Sequence, residues 1–97
     1  MKIDFNVNNG ELNVLLEGRL DTTTAPELES FLAENLNKAS SVSFDLKALS
    51  YISSAGLRVL LATHKRIGGK FKLVNVNELV FEVLEMTGFA DIWVIEK

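Results

Sequence analysis

The chain has 97 residues, of which 47% are hydrophobic, values that fit one small domain with its own core. It contains no cysteine, which excludes disulfides, thiolate metal sites and cysteine nucleophiles. Ten basic and thirteen acidic residues give a net charge of −3, so non-specific nucleic-acid binding is not expected. No apolar run approaches the roughly 18 residues of a membrane span, and the N-terminus lacks the apolar core of a signal peptide. We therefore expect a cytoplasmic protein that does not insert into membranes.

Two strands are predicted at the start of the chain. Residues 3–7 alternate between apolar and polar side chains, which predicts a half-buried strand. Asn9 and Gly10 favour the positive φ angles of a tight hairpin, so residues 12–20 are expected to pair antiparallel with the first strand. Gly18 interrupts this second run and predicts a bulge or a close approach of the backbone.

A helix and a third strand are predicted next. Thr24–Glu27 has the sequence of a capping box, and its proline is tolerated in the first helical turn. The apolar residues after it recur at helical spacing and predict one buried stripe, formed by Leu28, Phe31, Leu32 and Leu36. Residues 42–46 alternate again, which predicts a third strand that is central in the sheet and parallel to the second.

The second half of the chain continues this alternation of helices and strands. Leu57–Ile67 is strongly amphipathic and predicts a second helix, and Phe71–Val74 predicts a fourth strand. Asn77 can cap a third helix that ends at Gly88. The core stripe predicted for this helix comprises Leu79, Val80, Val83, Leu84 and Met86. A short final strand is predicted at 92–95, and the whole pattern indicates an α/β fold with a largely parallel sheet.

The junction between the third strand and the second helix is the candidate functional segment. Either Ser53 or Ser54 can act as the N-cap, its hydroxyl accepting a hydrogen bond from a free amide of the first turn. The other hydroxyl then lies at the mouth of the helix, where unpaired N–H groups and the helix dipole favour an anion such as phosphate. Ala55 and Gly56 are small and allow backbone or a partner to approach closely. The alternative is that both serines serve only as a cap.

The sequence offers little support for catalysis or metal binding. A serine nucleophile needs a base within hydrogen-bond reach, but the only histidine, His64, lies ten residues after Ser54. On one helix that separation is about 15 Å, so we expect His64 to pack at the border of the core. Asp21 and Asp45 fall at predicted strand ends on the side of Ser54, where the simplest role is to cap turns. We predict that the protein is not an enzyme and needs no metal or cofactor.

Residues 51–57, Tyr-Ile-Ser-Ser-Ala-Gly-Leu, resemble the signature segment of the STAS domain, the family of bacterial anti-sigma factor antagonists. In the family pattern Ser54 matches the phosphorylated serine, Ala55 the small residue, and Gly56-Leu57 the Gly-Leu pair. Ser53 stands where the family usually has an acidic residue, and it is therefore a rival acceptor of the phosphate. Two further segments resemble the family, Gly18–Asp21 and the third strand with the turn after it.

The resemblance extends over residues 1–97 and implies a single STAS domain, with a mixed four- or five-stranded sheet and helices packed mainly on one face. It implies a binding module that, when unphosphorylated, binds an anti-sigma factor of the histidine-kinase-like ATPase class and so frees a sigma factor. This partner would phosphorylate Ser54, and a PP2C-type phosphatase would remove the phosphate. Asp21 would help to shape the phosphorylation pocket. The alternative is a constitutive STAS accessory module of a lipid or anion transport system, in which the serines are structural.

Three further residues are candidates for contacts around this site. Leu57 completes the Gly-Leu pair and is a candidate partner contact. Phe81 lies outside the apolar stripe of its helix, on a face shared with three glutamates, and is either a partner-binding anchor or an ordinary exposed ring. Arg58 lies four residues after Ser54, where many family members carry a small residue, and could reach a phosphate on Ser54 or a partner's acidic group.

Overall fold

A computed structural model describes all 97 residues. It contains a five-stranded sheet, three α-helices and two short 3₁₀ turns, at Leu36–Lys38 and Phe89–Asp91. The elements in chain order are β1 (Lys2–Asn8), β2 (Glu11–Leu20), α1 (Ala25–Asn35), β3 (Ser41–Ile52), α2 (Ser54–Arg66), β4 (Phe71–Val74), α3 (Glu78–Met86) and β5 (Val94–Ile95). None of the helices is long and apolar enough to span a membrane.

The strands lie side by side in the order in which they occur along the chain, β1-β2-β3-β4-β5. The first pair is antiparallel, and the other three pairs are parallel. All three parallel connections step in the same direction across the sheet, so crossovers of the usual hand place their helices on the same face. The prediction of a mixed sheet with helices mainly on one face is confirmed.

The register of the strands places the largest apolar side chains on the helix-covered face. Leu12, Val42 and Phe71 are aligned across three strands, and the next row consists of Val14, Phe44 and Leu73. All six are buried, at most 3% exposed. The opposite face is mixed, with exposed Leu15 and Val94 beside polar residues, and there Asn13 donates to Asn6 Oδ1 (3.0 Å) while the Ser43 hydroxyl donates to Asn13 Oδ1 (2.6 Å). The sheet therefore has one core face and one hydrogen-bonded open face.

The turn between β1 and β2 and the bulge near Gly18 form as predicted. Asn9 and Gly10 have φ angles of 53° and 82°, and Gly18 has a φ of 102°. The register between β2 and β3 shifts twice, between Leu15 and Glu17 and between Gly18 and Arg19. Because β3 contributes the extra residue each time, it continues to Ile52, beyond the third strand predicted at 42–46. The residues after 46, which the resemblance to the family assigned to a turn, are strand as far as Ile52.

Two predictions about buried residues are wrong. Phe5 and Val7 are 49% and 52% exposed because β1 is the edge strand, although the Phe5 ring contacts Phe31 with centroids 4.9 Å apart. In α3, Leu79 and Met86 are 60% and 80% exposed, while the core contact is made by Val80 and Leu84. Leu79 and Met86 are seven residues apart and so share one side of the helix, about 120–140° around the axis from the stripe of Val80 and Leu84.

Candidate functional site

The start of α2 is fixed to the end of β2 through Ser53. This residue is the N-cap of the helix, and its hydroxyl oxygen accepts the Gly56 amide at 3.4 Å. Its own amide donates to the Leu20 carbonyl at 2.9 Å. Of the two serines that the sequence left open, Ser53 is thus the cap, and its polar groups are used inside the chain.

Ser54 is the first residue of α2, and its side chain is exposed. Its hydroxyl forms no hydrogen bond within the chain. The first turn of α2 contains no acidic residue, whereas Glu27 and Glu78 occupy the first turns of α1 and α3. Because free amides and the positive end of the dipole favour an anion, a negative group on Ser54 would be the first at this helix start.

Gly56 is required by the packing beneath Ser54. A Cβ atom at this position would lie 2.6 Å from Leu20 Cγ and 3.1 Å from Ile52 Cγ1. The small residue therefore admits the protein's own core side chains at the ends of β2 and β3. Ala55 beside it is partly exposed, and Leu57 is only 5% exposed and belongs to the core. The Leu57 side chain therefore leaves little surface for a partner, and its role as a partner contact stays a prediction.

Asp21 lies at the end of β2 and organises the turn that leads into α1. Its Oδ1 atom accepts hydrogen bonds from the Thr23 hydroxyl (2.7 Å), the Thr23 amide (3.0 Å) and the Thr24 amide (3.2 Å). Thr24 in turn accepts the Asp21 amide at 2.8 Å and donates to the Arg19 carbonyl at 2.8 Å. Thr24 makes no side-chain cap bond to α1, so the predicted capping box is wrong. Its hydroxyl is instead used by the Asp21 turn.

The hydrogen bond from the Thr23 hydroxyl, with those from the Thr23 and Thr24 amides, lowers the pKa of Asp21 from 3.8 to about 2 against the opposing effect of burial. Arg19 adds an ion pair, with Nε 3.5 Å from Asp21 Oδ2, and its guanidinium lies 4.3 Å from the centroid of the Tyr51 ring. Sequence reasoning missed Arg19 and Tyr51, because their pairing depends on the bulged register of β2 and β3. The Asp21 carboxylate is therefore held by its own turn and by Arg19, with no bond to Ser54.

Asp45 serves the open face of the sheet. It accepts the Lys47 amide at 3.0 Å and the Asn75 side-chain amide at 2.9 Å. Asp45 lies inside β3, so its predicted position at a strand end is wrong, and its carboxylate links an amide of its own strand to the Asn75 side chain. His64 lies near the other end of α2 from Ser54 and packs edge-on against Phe71, with ring centroids 5.3 Å apart. Its predicted place at the border of the core is confirmed.

Arg58 is exposed on the second turn of α2 and forms no ion pair in the structure. It lines a groove of about 320 Å³ whose other wall is formed by Thr22, in the turn before α1, and by Pro26 in the first turn of α1. Residues four apart on a helix are neighbours on its surface. Helical spacing therefore places Arg58 on the same side of α2 as Ser54.

Phe81 lies on the outer side of α3, partly buried against the core. The groove around it, about 460 Å³, is lined by Glu78, Glu82, Glu85 and Lys97. The Lys97 ammonium lies 3.8 Å from the centroid of the Phe81 ring. The predicted acidic surroundings are confirmed, and the exposed side of the ring already contacts a cation of its own chain.

Comparison with known proteins identifies the family. A family model described as the STAS domain matches residues 2–97. The chain belongs to the STAS domain family. The anti-sigma-B factor antagonist of Bacillus subtilis is 30% identical over 95 residues, which are 95% of this chain and 87% of that protein.

Solved structures share the fold. An anti-sigma factor antagonist from Mycobacterium paratuberculosis gives a TM-score of 0.86 at 24% identity, covering 98% of this chain and 84% of that chain. The Bacillus cell fate determinant SpoIIAA in its phosphorylated form gives a TM-score of 0.73 at 15% identity, covering 99% of this chain and 92% of that chain.

Proposed function

We propose that this STAS domain protein is an anti-sigma factor antagonist whose binding to its partner is switched by phosphorylation of Ser54. The observation that carries the proposal is the free, exposed hydroxyl of Ser54 at the first position of α2, directly after a cap residue whose own hydroxyl is engaged. The name of its Bacillus subtilis relative supports the choice of partner class.

The proposed partner is an anti-sigma factor of the histidine-kinase-like ATPase class. The unphosphorylated protein binds this anti-sigma factor and so releases a sigma factor in the cytoplasm. The same partner transfers the γ-phosphoryl group of ATP, with Mg²⁺, to the Ser54 oxygen, which loses its proton, and ADP leaves. A PP2C-type phosphatase hydrolyses the ester and restores the hydroxyl. The STAS protein itself is a binding module and a phosphate acceptor, not a catalyst.

The geometry explains how a phosphate could act without refolding the domain. Phosphorylation adds a charge of about −1.5 to −2, and at the first position of α2 this charge faces free amides and the positive end of the dipole. The phosphate is therefore compatible with the helix that carries it. At an interface the same charge repels acidic groups of a partner and costs desolvation, so the complex is weakened.

Ser54 is preferred over its neighbour because Ser53 has a structural task. The Ser53 hydroxyl accepts the Gly56 amide, and Ser53 is less exposed than Ser54. A phosphoryl group on Ser53 would compete with that cap, whereas one on Ser54 displaces no bond of the chain.

The test is a phosphorylation assay with the anti-sigma factor kinase of the same genome, ATP and Mg²⁺. We expect one phosphate on the wild-type protein, located at Ser54 by fragmentation mass spectrometry, and none on Ser54→Ala. Ser54→Ala should keep its affinity for the kinase, and Ser54→Asp should bind more weakly, both with the circular dichroism of the wild type. Phosphate found on Ser53 alone would overturn the assignment, and equal affinity of Ser54→Asp and the wild type would overturn the electrostatic switch.

A further inference from the structure

A groove runs along the outer surface between α1 and α2. Its larger part has a volume of about 510 Å³ and extends along α2 as far as Arg66. Three of its lining residues, Pro26, Glu29 and Val59, also line the smaller groove beside Arg58. The two are therefore one continuous surface, which we call the α1/α2 groove. It begins at the turn of α2 that carries Ser54 and runs along both helices.

The floor of the α1/α2 groove is apolar. Leu32, Leu36 and Val59 line it, each no more than 7% exposed. Thr63 also lines it, but its hydroxyl donates to the Val59 carbonyl at 2.9 Å and so needs no further partner. The exposed walls are formed by the small residues Ser30, Ala33 and Ala62. A ligand here meets apolar surface in the centre and can satisfy polar groups only at the rim.

The rim of the groove is mostly positive. Arg58 and Arg66 lie on the α2 side, and Glu29 is the acidic residue on the α1 side. None of the three forms an ion pair within the chain. In a protein with a net charge of −3, two unpaired arginines beside an apolar floor favour an occupant that combines carboxylates with apolar side chains.

We infer that the α1/α2 groove docks an acidic, partly apolar segment of the anti-sigma factor, and that Arg58 is shared between this segment and the phosphate on Ser54. The inference rests on the proposed function. In the unphosphorylated protein Arg58 pairs with a carboxylate of the partner. After phosphorylation the phosphate four residues earlier on the same helix holds Arg58. The groove then loses a cation and faces a new anion at its end, so the phosphate weakens binding in two ways.

The docking surface is tested by measuring the affinity of the purified anti-sigma factor kinase for matched variants by calorimetry. Ala33→Trp fills the groove, and Arg66→Glu reverses the charge at its far end. Their controls, Glu34→Trp and Lys65→Glu, make the same kind of change at exposed neighbours that do not line the groove. We expect each groove variant to lose about tenfold or more in affinity and each control to change it less than about twofold.

Folding is checked by circular dichroism and melting temperature, and Ser30→Glu replaces any groove variant that fails to fold. Ser30 is exposed and lines the wall, so a negative charge there should also repel the acidic segment. Groove variants that bind as tightly as their controls would show that the partner docks elsewhere. A wild-type protein that neither binds the kinase nor accepts phosphate would instead refute the proposed function.

The sharing of Arg58 is tested by comparing the effect of phosphorylation with and without this residue. Arg58→Ala should weaken binding of the unphosphorylated protein. Phosphorylation should then lower the affinity by a smaller factor in Arg58→Ala than in the wild type. Arg58→Lys should give an intermediate factor, because lysine restores the charge but cannot form the paired hydrogen bonds of a guanidinium group. An equal factor in the wild type and in Arg58→Ala would show that the phosphate acts without this arginine.

Discussion

Helices α2 and α3 begin with the same type of hydrogen bond and use it differently. In each, a side-chain oxygen of the N-cap accepts the amide three residues later, Ser53 from Gly56 at 3.4 Å and Asn77 from Val80 at 3.0 Å. The Asn77 side chain also donates to the Leu49 and Leu46 carbonyls, at 2.7 and 3.3 Å.

The two helix starts differ in the residue directly after the cap. The side-chain NH2 group of Asn77 attaches α3 to β3 while its oxygen caps α3, and the next residue, Glu78, already supplies a negative charge at the helix start. Ser53 is succeeded by a hydroxyl that bonds to nothing, in a first turn without acidic residues. The start of α3 is therefore purely structural. The start of α2 has the same structural cap and, in addition, one hydroxyl group without a hydrogen bond. Cap chemistry by itself does not identify a functional site.

The largest effect is expected from Asn77→Ala. The change removes a cap, typically worth about 1 kcal/mol, and leaves two strand carbonyls without their donor, at about 1–3 kcal/mol. We expect the free energy of unfolding to fall by roughly 2–4 kcal/mol in urea denaturation, while Ser54 is still phosphorylated. Asn37→Ala, at an exposed position, is the control. A loss no larger than that of Ser53→Ala would contradict the structural contrast between the two starts.

The second-largest effect is expected from Gly56→Ala. In an ordinary helix interior this substitution stabilises by nearly 1 kcal/mol, but here the new methyl group overlaps Leu20, which is fully buried. Overpacking of this kind costs about 1–3 kcal/mol, so we expect net destabilisation in the same urea assay. An increase in stability would mean that the Leu20 side chain moves at little cost to accommodate the new methyl group.

The variant Phe81→Ala tests whether α3 also contributes to partner binding. If the ring anchors the partner, the complex with the anti-sigma factor kinase should weaken by about 1–2 kcal/mol. Because the ring is partly buried, the melting temperature is measured alongside, and Phe81→Leu serves as a control that keeps apolar packing without the aromatic face. A large fall in melting temperature with unchanged affinity would show that Phe81 belongs only to the core.

Substitutions of Ser53 and Ser54 should have different effects, one on stability and the other on phosphorylation. Ser53→Ala should lower stability by about 1 kcal/mol and still accept phosphate at Ser54. Ser54→Ala should change stability by less than about 0.5 kcal/mol and accept none. Chemical denaturation and intact-mass spectrometry of the two variants measure both properties. The reverse pattern would exchange the roles of cap and acceptor.

The sequence predicted the fold well because each element carries its own boundary signals. The asparagine cap at 77, the Asn9-Gly10 turn and the glycine after α3 are local, and all three form as expected. Wrong predictions concern residues whose burial is decided by distant neighbours. Phe5 is exposed because its strand lies at the edge, and Leu79 because α3 contacts the core through a narrow stripe.

At the site, the two serines could be found from the sequence, but their separate roles could not. The choice between Ser53 and Ser54 as cap depends on the residue at which the helix starts. A shift of this start by one residue would exchange the two roles, and local sequence patterns do not fix it that closely. Leu57 matches the motif, yet its side chain is only 5% exposed and lies in the core. Arg19 lies over the distant Tyr51 ring because of the bulged register of β2 and β3, and Arg66 lies beside α1 because the two helices pack together, so neither position could be read from local sequence.

The smallest effect is expected from acid titration of the Asp21 turn. Since its pKa is lowered from 3.8 to about 2 in the folded protein, Asp21 stabilises the fold above the higher value and loses this contribution as the pH falls towards the lower one. The stability of the wild type should therefore decrease more between these pH values than that of Asp21→Asn, in urea titrations at fixed pH. Thr23→Ala, which removes the main donor, should resemble Asp21→Asn in part. If the stability of all three proteins decreased equally over this pH range, the Asp21 turn would not be the cause of the acid sensitivity.

The order of the strands has a consequence for assembly of the chain. Every strand pairs with its neighbours in sequence, and none is inserted between two strands formed earlier. The sheet can therefore grow from the hairpin of β1 and β2 by adding one helix–strand unit at a time to the same edge, with loop closures of moderate length. Both strands that support the start of α2 precede it in the chain. During synthesis the Ser54 segment can reach its final geometry before β4, α3 and β5 have left the ribosome.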